Sequence, residues 1–303
     1  EYSSDNGSTW NAGSGSNFTL TGDGSQAVLV RQTDLAGNTS SNGSLNFTID
    51  TTAPNTTVTK IAMSSDTGVS ATDFITKSSS QTINGTLSAN IATGEIVKVS
   101  ADNGLTWKTA TGTVGSNTFS VTGIALAGNN TLKVVVQDAA GNLGTAASQA
   151  YVLDTTAPTT TVSTVSFSND SGTSSSDFNT NIASQTITGT LNANLGADEV
   201  VKVSLDGGAT WMTAQSAVGT KTYTLDGITL AGSNTLQVRV EDAAGNAAVS
   251  KNQVYSYDTT ATSPVLTLAS DTGTSSSDVM TSVGTVNIAG LESGAKWQYS
   301  LDN

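Results

Sequence analysis

The sequence contains no cysteine and no histidine. Without cysteine, a β-module working outside a cell cannot be stapled by disulfides, so some other device has to stiffen it. Without histidine, the usual general base and the commonest transition-metal ligand are both missing. Zinc, copper and iron chemistry is thereby close to excluded. Basic residues are scarce, 11 against 24 acidic ones, and the net charge of −13 argues against nucleic acid and anionic membranes as partners. Aromatics make up only 5% of the chain, so any core is thin. No apolar run approaches the ~18 residues needed to cross a bilayer, and no membrane insertion is expected. Prolines number three, Pro54, Pro158 and Pro264. Each stands just beyond the same four-residue string.

What is abundant is Ser, Thr, Asn, Gly and Val, in short alternating runs between Gly/Asn/Asp clusters, the pattern of strands and turns. The runs repeat. Asp-Thr-Thr-Ala begins at Asp50, Asp154 and Asp258, and Asp-x-Ala-Gly-Asn at Asp34, Asp138 and Asp242. Asp-x-Gly-x-x-x-x-Asp begins at Asp66, Asp170 and Asp271. A fixed period of about a domain's length means tandem copies of one module. Proline locks φ and donates no ladder hydrogen bond, so the three prolines mark joints. The cuts give a partial module at 1–52, whole modules at 53–156 and 157–262, and a second partial module at 263–303. Glu1–Gly7 matches the final Lys296–Asn303, so the expectation is a segment of something longer. Its half-modules would either fray or pair head-to-tail between chains.

Within the second module, alternation places strands at Thr56–Met63, Thr82–Leu87, Ile96–Ala101, Thr118–Thr122, around Leu132, Val134 and Val136, and at Ala150–Leu153. The third module repeats them. Seven short strands per ~100 residues, with a turn signal every 8–12, predict an all-β chain of tandem Ig-like β-sandwich modules arranged as an extended rod. Trp107 and Trp211 follow a hairpin at fixed spacing and are expected in the core, where a sandwich poor in aromatics needs their bulk.

The recurring letters are carboxylates and turn residues, with no nucleophile and base. In an Ig-like topology the Asp-x-Ala-Gly-Asn turn lies at the pole of the incoming linker. The outgoing linker and the Asp-x-Gly-x-x-x-x-Asp loop lie at the other pole. At the central joint, Asp66, Asp73 and Asp154 are therefore expected to converge on Asp242 and Asn246. Oxygen-only ligands in this number suit Ca²⁺, which takes six to eight oxygens in flexible geometry. The expected ligands are Asp34, Asp50, Asp66, Asp73, Asp138, Asn142, Asp154, Asp170, Asp177, Asp242, Asn246, Asp258, Asp271 and Asp278. Asp-x-Ala-Gly-Asn is also a sound tight turn without a metal. Asp5, Asp102, Asp206 and Asp302 read as plain hairpin residues.

Val152–Pro158, Gln137–Asn142 and Leu291–Ser300 resemble the bacterial Ig-like repeats of giant adhesins secreted by type I systems, and the resemblance runs over essentially the whole chain. It implies an extended stalk with calcium at or near the joints, secretion in an unfolded state and folding at the bacterial cell surface. It also implies an adhesive tip, outside this segment, that meets a host glycan or protein. The expected function is thus a spacer whose partners are calcium ions and its own neighbouring modules. Direct gripping of a glycan or host protein by the repeats is the alternative. An enzyme is not expected: Asp198–Glu199 and Glu95 are the nearest thing to paired carboxylates, and catalytic sites are rarely copied in every repeat.

Overall fold

The computed structural model describes residues 1–301, and Asp302 therefore lies outside the described residues. Every regular element among them is a β-strand. In the first segment, β1 (Tyr2–Ser3), β2 (Gly24–Val30) and β3 (Gly43–Ile49) form one three-stranded sheet.

The second module holds β4 (Val58–Met63), β5 (Ile75–Thr76), β6 (Ser80–Leu87), β7 (Ile96–Ser100), β8 (Lys108–Thr109), β9 (Thr118–Ala125), β10 (Asn129–Gln137) and β11 (Ala147–Leu153). They make two sheets, β4-β6-β9 and β5-β11-β10-β7-β8. All pairings are antiparallel except β5 with β11, where Ile75 and Thr76 run alongside Val152 and Leu153. The main strands lie where alternation put them. The two-residue β5 and β8 escaped it, because two residues carry no period.

The third module repeats this with β12 (Val162–Phe167), β13 (Asn179–Thr180), β14 (Ser184–Leu191), β15 (Glu199–Ser204), β16 (Met212–Thr213), β17 (Gln215–Ser216), β18 (Thr222–Thr229), β19 (Asn234–Asp242) and β20 (Lys251–Tyr257). Its sheets are β12-β14-β18-β17 and β13-β20-β19-β15-β16. In the last segment β21 (Val265–Leu268) pairs with β22 (Val286–Ala289) alone.

Burial follows the period of two. In the second module Ile83, Leu87, Val97, Val99, Leu132, Val134 and Val136 point inward, and Phe119 and Tyr151 fill the space between sheets. Tyr151 keeps its hydroxyl satisfied by donating to the Ala101 carbonyl at 2.8 Å, and Tyr255 does the same to Leu205 at 3.0 Å. The third module substitutes Tyr223 for Phe119, and its hydroxyl donates to the Thr164 carbonyl at 2.9 Å. Burial pushes the Tyr223 phenol well above its ordinary value.

By contact density the chain divides into two compact units. One comprises Glu1–Thr159 with Gly196–Val200 and Val240–Ala248. The other comprises Thr160–Leu195, Val201–Arg239 and Val249–Asn303.

Candidate metal centre

The loop after the first strand of each module is folded alike three times. In the second module the Phe74 N–H donates to Asp66 Oδ2 at 3.0 Å, and Ile75 N–H donates to Asp73 Oδ1 at 3.0 Å. In the third, Phe178 and Asn179 donate to Asp170 and Asp177 at 2.8 and 3.1 Å. In the last segment, Val279 and Met280 donate to Asp271 and Asp278 at 3.1 and 3.2 Å. A threonine ten residues beyond the first aspartate (Thr76, Thr180 and Thr281) closes each loop, donating to the carbonyl just before that aspartate at 2.7–2.8 Å.

Two features of this loop are unexpected on folding grounds alone. Phe74, Phe178 and Val279 adopt φ of 63°, 62° and 57°. A left-handed backbone is strained for bulky side chains, most of all for a β-branched valine, and such strain collects at functional sites. The other oxygen of each leading aspartate (Oδ1 of Asp66, Asp170 and Asp271) is buried and has no hydrogen-bond partner. A buried acceptor without a donor is costly. Burial raises the Asp66 carboxyl above its ordinary value; the Phe74 N–H opposes this, and the nearby Asp73 charge adds to it. A cation would reverse each of these penalties, and the donor set, carboxylates with Ser and Thr hydroxyls, is the one that hard cations take. The loop fits a calcium ion held by Asp66 and Asp73, or by their counterparts Asp170 with Asp177 and Asp271 with Asp278.

Sequence reasoning missed the residue that holds the first two loops in place. Gln81 is buried in β6, where Nε2 donates to the Ser65 and Ser78 carbonyls at 2.8 and 3.0 Å, and Oε1 accepts from Ser65 N at 3.0 Å. Gln185 does the same around Asn169 and Ile182. The signal was there: Gln81 shares the inward register of Ile83 and Leu87.

The remaining aspartates are placed differently. Asp34, Asp138 and Asp242 each fold back on their own turn, with Oδ1 accepting from the backbone N–H and Oδ2 from the side-chain amide of Asn38, Asn142 and Asn246. These bonds, the asparagine amide foremost, hold the Asp34 and Asp138 carboxyls below their ordinary value. Asp50 and Asp154 are spent on the N–H groups of Thr52 and Thr156, and Asp258 on the N–H and hydroxyl of Thr260. What links turn to linker is an amide to a carbonyl: Asn142 Nδ2 donates to the Asp50 carbonyl, and Asn246 Nδ2 to that of Asp154, both at 2.9 Å.

The convergence of four carboxylates expected around Asp154 is not met. Among the described residues no three acidic side chains come together closely enough to hold an ion. Asp242 is unavailable because its own turn consumes both oxygens. In their place, Thr67 Oγ1 donates to the Ala244 carbonyl and Lys77 Nζ to that of Gly245, both at 2.6 Å. Gly68, at φ 100°, makes this approach possible, since a Cβ there would run into the Ala243 carbonyl.

Asp5, Asp102 and Asp206 are hairpin residues, as read from the sequence. Ser100 Oγ donates to Asp102 Oδ1 at 2.6 Å and accepts from Gly104 N at 2.7 Å. Asp102 also takes the N–H and hydroxyl of Thr106. Ser3/Asp5/Thr9 and Ser204/Asp206/Thr210 repeat the arrangement, and Asp5 is lowered to about 2, chiefly by the Thr9 hydroxyl. The tryptophans are not core residues. Trp107 and Trp211 are half-buried on the hairpin, which turns each ring back over its own glycine. Trp211 Nε1 donates to the Gly208 carbonyl at 3.0 Å, and the Arg239 guanidinium lies 3.7 Å from the ring centre.

No curated protein matches this chain significantly. Among solved structures it is similar to the fibronectin(III)-like modules of Clostridium thermocellum CbhA, at 16% identity over 65% of this chain and 94% of that one, with a TM-score of 0.40. It is also similar to the BSP domain of a biofilm-associated protein, at 14% identity over 61% of this chain and 29% of that one, with a TM-score of 0.22. A model of the bacterial Ig-like domain matches residues 52–155 and again residues 156–259.

Proposed function

The chain belongs to the bacterial Ig-like domain family, and from that premise we propose that it is a stalk segment of a bacterial surface adhesin, its repeats stiffened by calcium. The observation that carries the calcium reading is the orphaned, buried Oδ1 of Asp66, Asp170 and Asp271, repeated beside a strained backbone in three copies of one loop. Calcium bound there neutralises the carboxylate pair and supplies the missing partner for the buried oxygen. Asp66 and Asp73 hold the ion, Gln81 and Thr76 fix the loop that carries them, and Thr67 and Lys77 of the same loop bind the 244–245 carbonyls. Stiffening the loop therefore stiffens what it docks on. Extracellular modules bind calcium at ~10⁻⁴–10⁻³ M, so the segment is loose inside a cell and firm outside it. The strings around Asp138, Asp154 and Leu291 are similar to repeats of the giant non-fimbrial adhesin of Salmonella, which supports type I export and a host-binding tip elsewhere in the parent protein.

The test is a thermal melt in millimolar calcium and then in chelator with magnesium, on the natural sequence and on Asp66→Asn/Asp170→Asn/Asp271→Asn. Calcium at tenfold its Kd stabilises a module by about 1.4 kcal/mol, and the triple variant should lose that gain. It should be no less stable than the natural sequence in chelator, because the orphaned charge is gone. A midpoint indifferent to calcium sinks the reading.

One observation favours direct ligand binding as a second reading. The outer face of β4-β6-β9 forms an open trough of about 670 Å³ lined by Lys60, Asn84, Thr86, Thr111 and Ser120. Its counterpart, of about 780 Å³, is lined by Thr164, Thr188, Thr190, Gln215 and Thr224. A hydroxyl-lined trough copied from module to module suits a neutral glycan held by avidity. Binding on a glycan array that is lost on Thr188→Val/Thr190→Val would favour it.

A further inference from the structure

Each end segment presents an apolar face with nothing on it. In residues 1–52, Phe18, Leu20, Val28 and Phe47 line an open hollow of about 550 Å³. In residues 263–301, Leu266, Leu268, Val279 and Val286 line one of about 580 Å³. The complete third module shows what covers such faces. By repeat alignment Phe47 stands where it has Tyr255, and Leu268 where it has Phe167, and those two rings meet edge-on at 5.7 Å. Tyr255 is 4% exposed against 38% for Phe47, and Ile187 is 0% exposed against 51% for its counterpart Val286.

Strand pairing tells the same story. β14 pairs on both sides, with β12 and β18, whereas its counterpart β22 pairs with β21 alone. The counterpart of β18, Asn17–Leu20, lies in no strand at all. Each segment therefore carries the strands that the other's face lacks.

We propose that these two faces are an interface between copies of this chain, residues 263–301 of one copy closing over residues 1–52 of another to rebuild one sandwich. The register follows from the third module: Leu225 lies opposite Ile187 there, so Leu20 pairs opposite Val286. Ile288 replaces Gly189, which Tyr223 covers, but the ring at that position in the first segment, Phe18, is stacked on Tyr2 at 4.2 Å instead. The space over Ile288 is thereby left free of a ring. Because the contact joins two different faces, it is heterologous and continues into rings or open filaments. Both segments are acidic on balance, so screening by salt strengthens it.

Light scattering on the full chain tests this. The expected result is a mass that climbs past the dimer with concentration and climbs further with salt. Phe47→Asp breaks one face and Val286→Asp the other; both residues are exposed, so the middle modules keep their circular dichroism and melting point. Each variant alone should be monomeric. Their equimolar mixture should stop at a one-to-one dimer, since together they hold one intact pair of faces. Leu45→Asp, a second change on the first face, should behave as Phe47→Asp does. The proposal is overturned by a natural chain that stays monomeric at ~0.2 mM, well above the Kd of a weak transient contact. It is equally overturned by either single variant continuing to self-associate, or by a mixture that stays monomeric.

Discussion

The aspartate loop of the third module and that of the last segment make the same hydrogen bonds, residue for residue, but the strands beside them fare differently. Around Asp170, Phe167 and Ile187 are buried under β18 and β20; around Asp271, their counterparts Leu268 and Val286 have no opposing sheet. The loops also differ in their anchor. Gln185 tethers the first, and Gly284 stands in its place in the second. The loop is thus specified by a dozen contiguous residues, through side chains that satisfy their own backbone. The core is not, because it depends on strands far away in sequence.

Three measurements sharpen that contrast. The largest effect is expected from the core: Ile187→Ala should cost about 2–5 kcal/mol in denaturant unfolding, as buried isoleucines do. Val286→Ala in the monomeric chain should cost less than ~1 kcal/mol, since much of that side chain already meets water. Equal costs would mean that the last segment is closed after all.

The tether comes next. Gln185→Ala leaves the Asn169 N–H and two carbonyls unmatched and should cost about 1–3 kcal/mol. The reverse change, Gly284→Gln, adds a side chain where a Cβ meets nothing within 4 Å. It should slow hydrogen exchange at the amides around Asp271; no slowing would show that the glutamine is not the anchor.

The smallest effect is in acid. Hydrogen bonds hold Asp5 to about 2 and lower Asp102 and Asp206 as well, from an ordinary 3.8. A depressed carboxyl stabilises the fold above its unfolded value and loses that contribution as pH falls through the folded one. The hairpins should therefore loosen between about pH 4 and pH 2. Asp66, raised by burial, works in the opposite direction, and its cost eases on acidification. Carbon-detected titration should find Asp5 as depressed as Asp102, since the hairpin is as local as the loop. An ordinary value at Asp5 would make the hairpin depend on the missing sheet.

The same division explains what could be read from the sequence. Joints, turns and main strands were legible because Pro, Gly and alternation act over a few residues. The paired loop aspartates were legible because the pair recurs. Asp242 was misassigned because Asp-x-Ala-Gly-Asn serves a turn and a ligand set equally well in letters, and only the fold shows Asn246 claiming both oxygens. Trp107 and Trp211 were sent to the core on bulk alone, where the hairpin's own glycines and Arg239 turned out to receive them. Gln81 was passed over because a polar letter in a strand reads as outward, even in an inward register.

The amide of Asn142 on the Asp50 carbonyl, and that of Asn246 on the Asp154 carbonyl, are the same bond in two places. Its acceptor is backbone, which every residue offers, so a joint of this kind asks nothing of the identity of the module before it. Recombination between copies can then delete or insert whole modules and leave every junction intact. Over generations such a gene is free to change the reach of its product in steps of one module, with no compensating mutation at the seams.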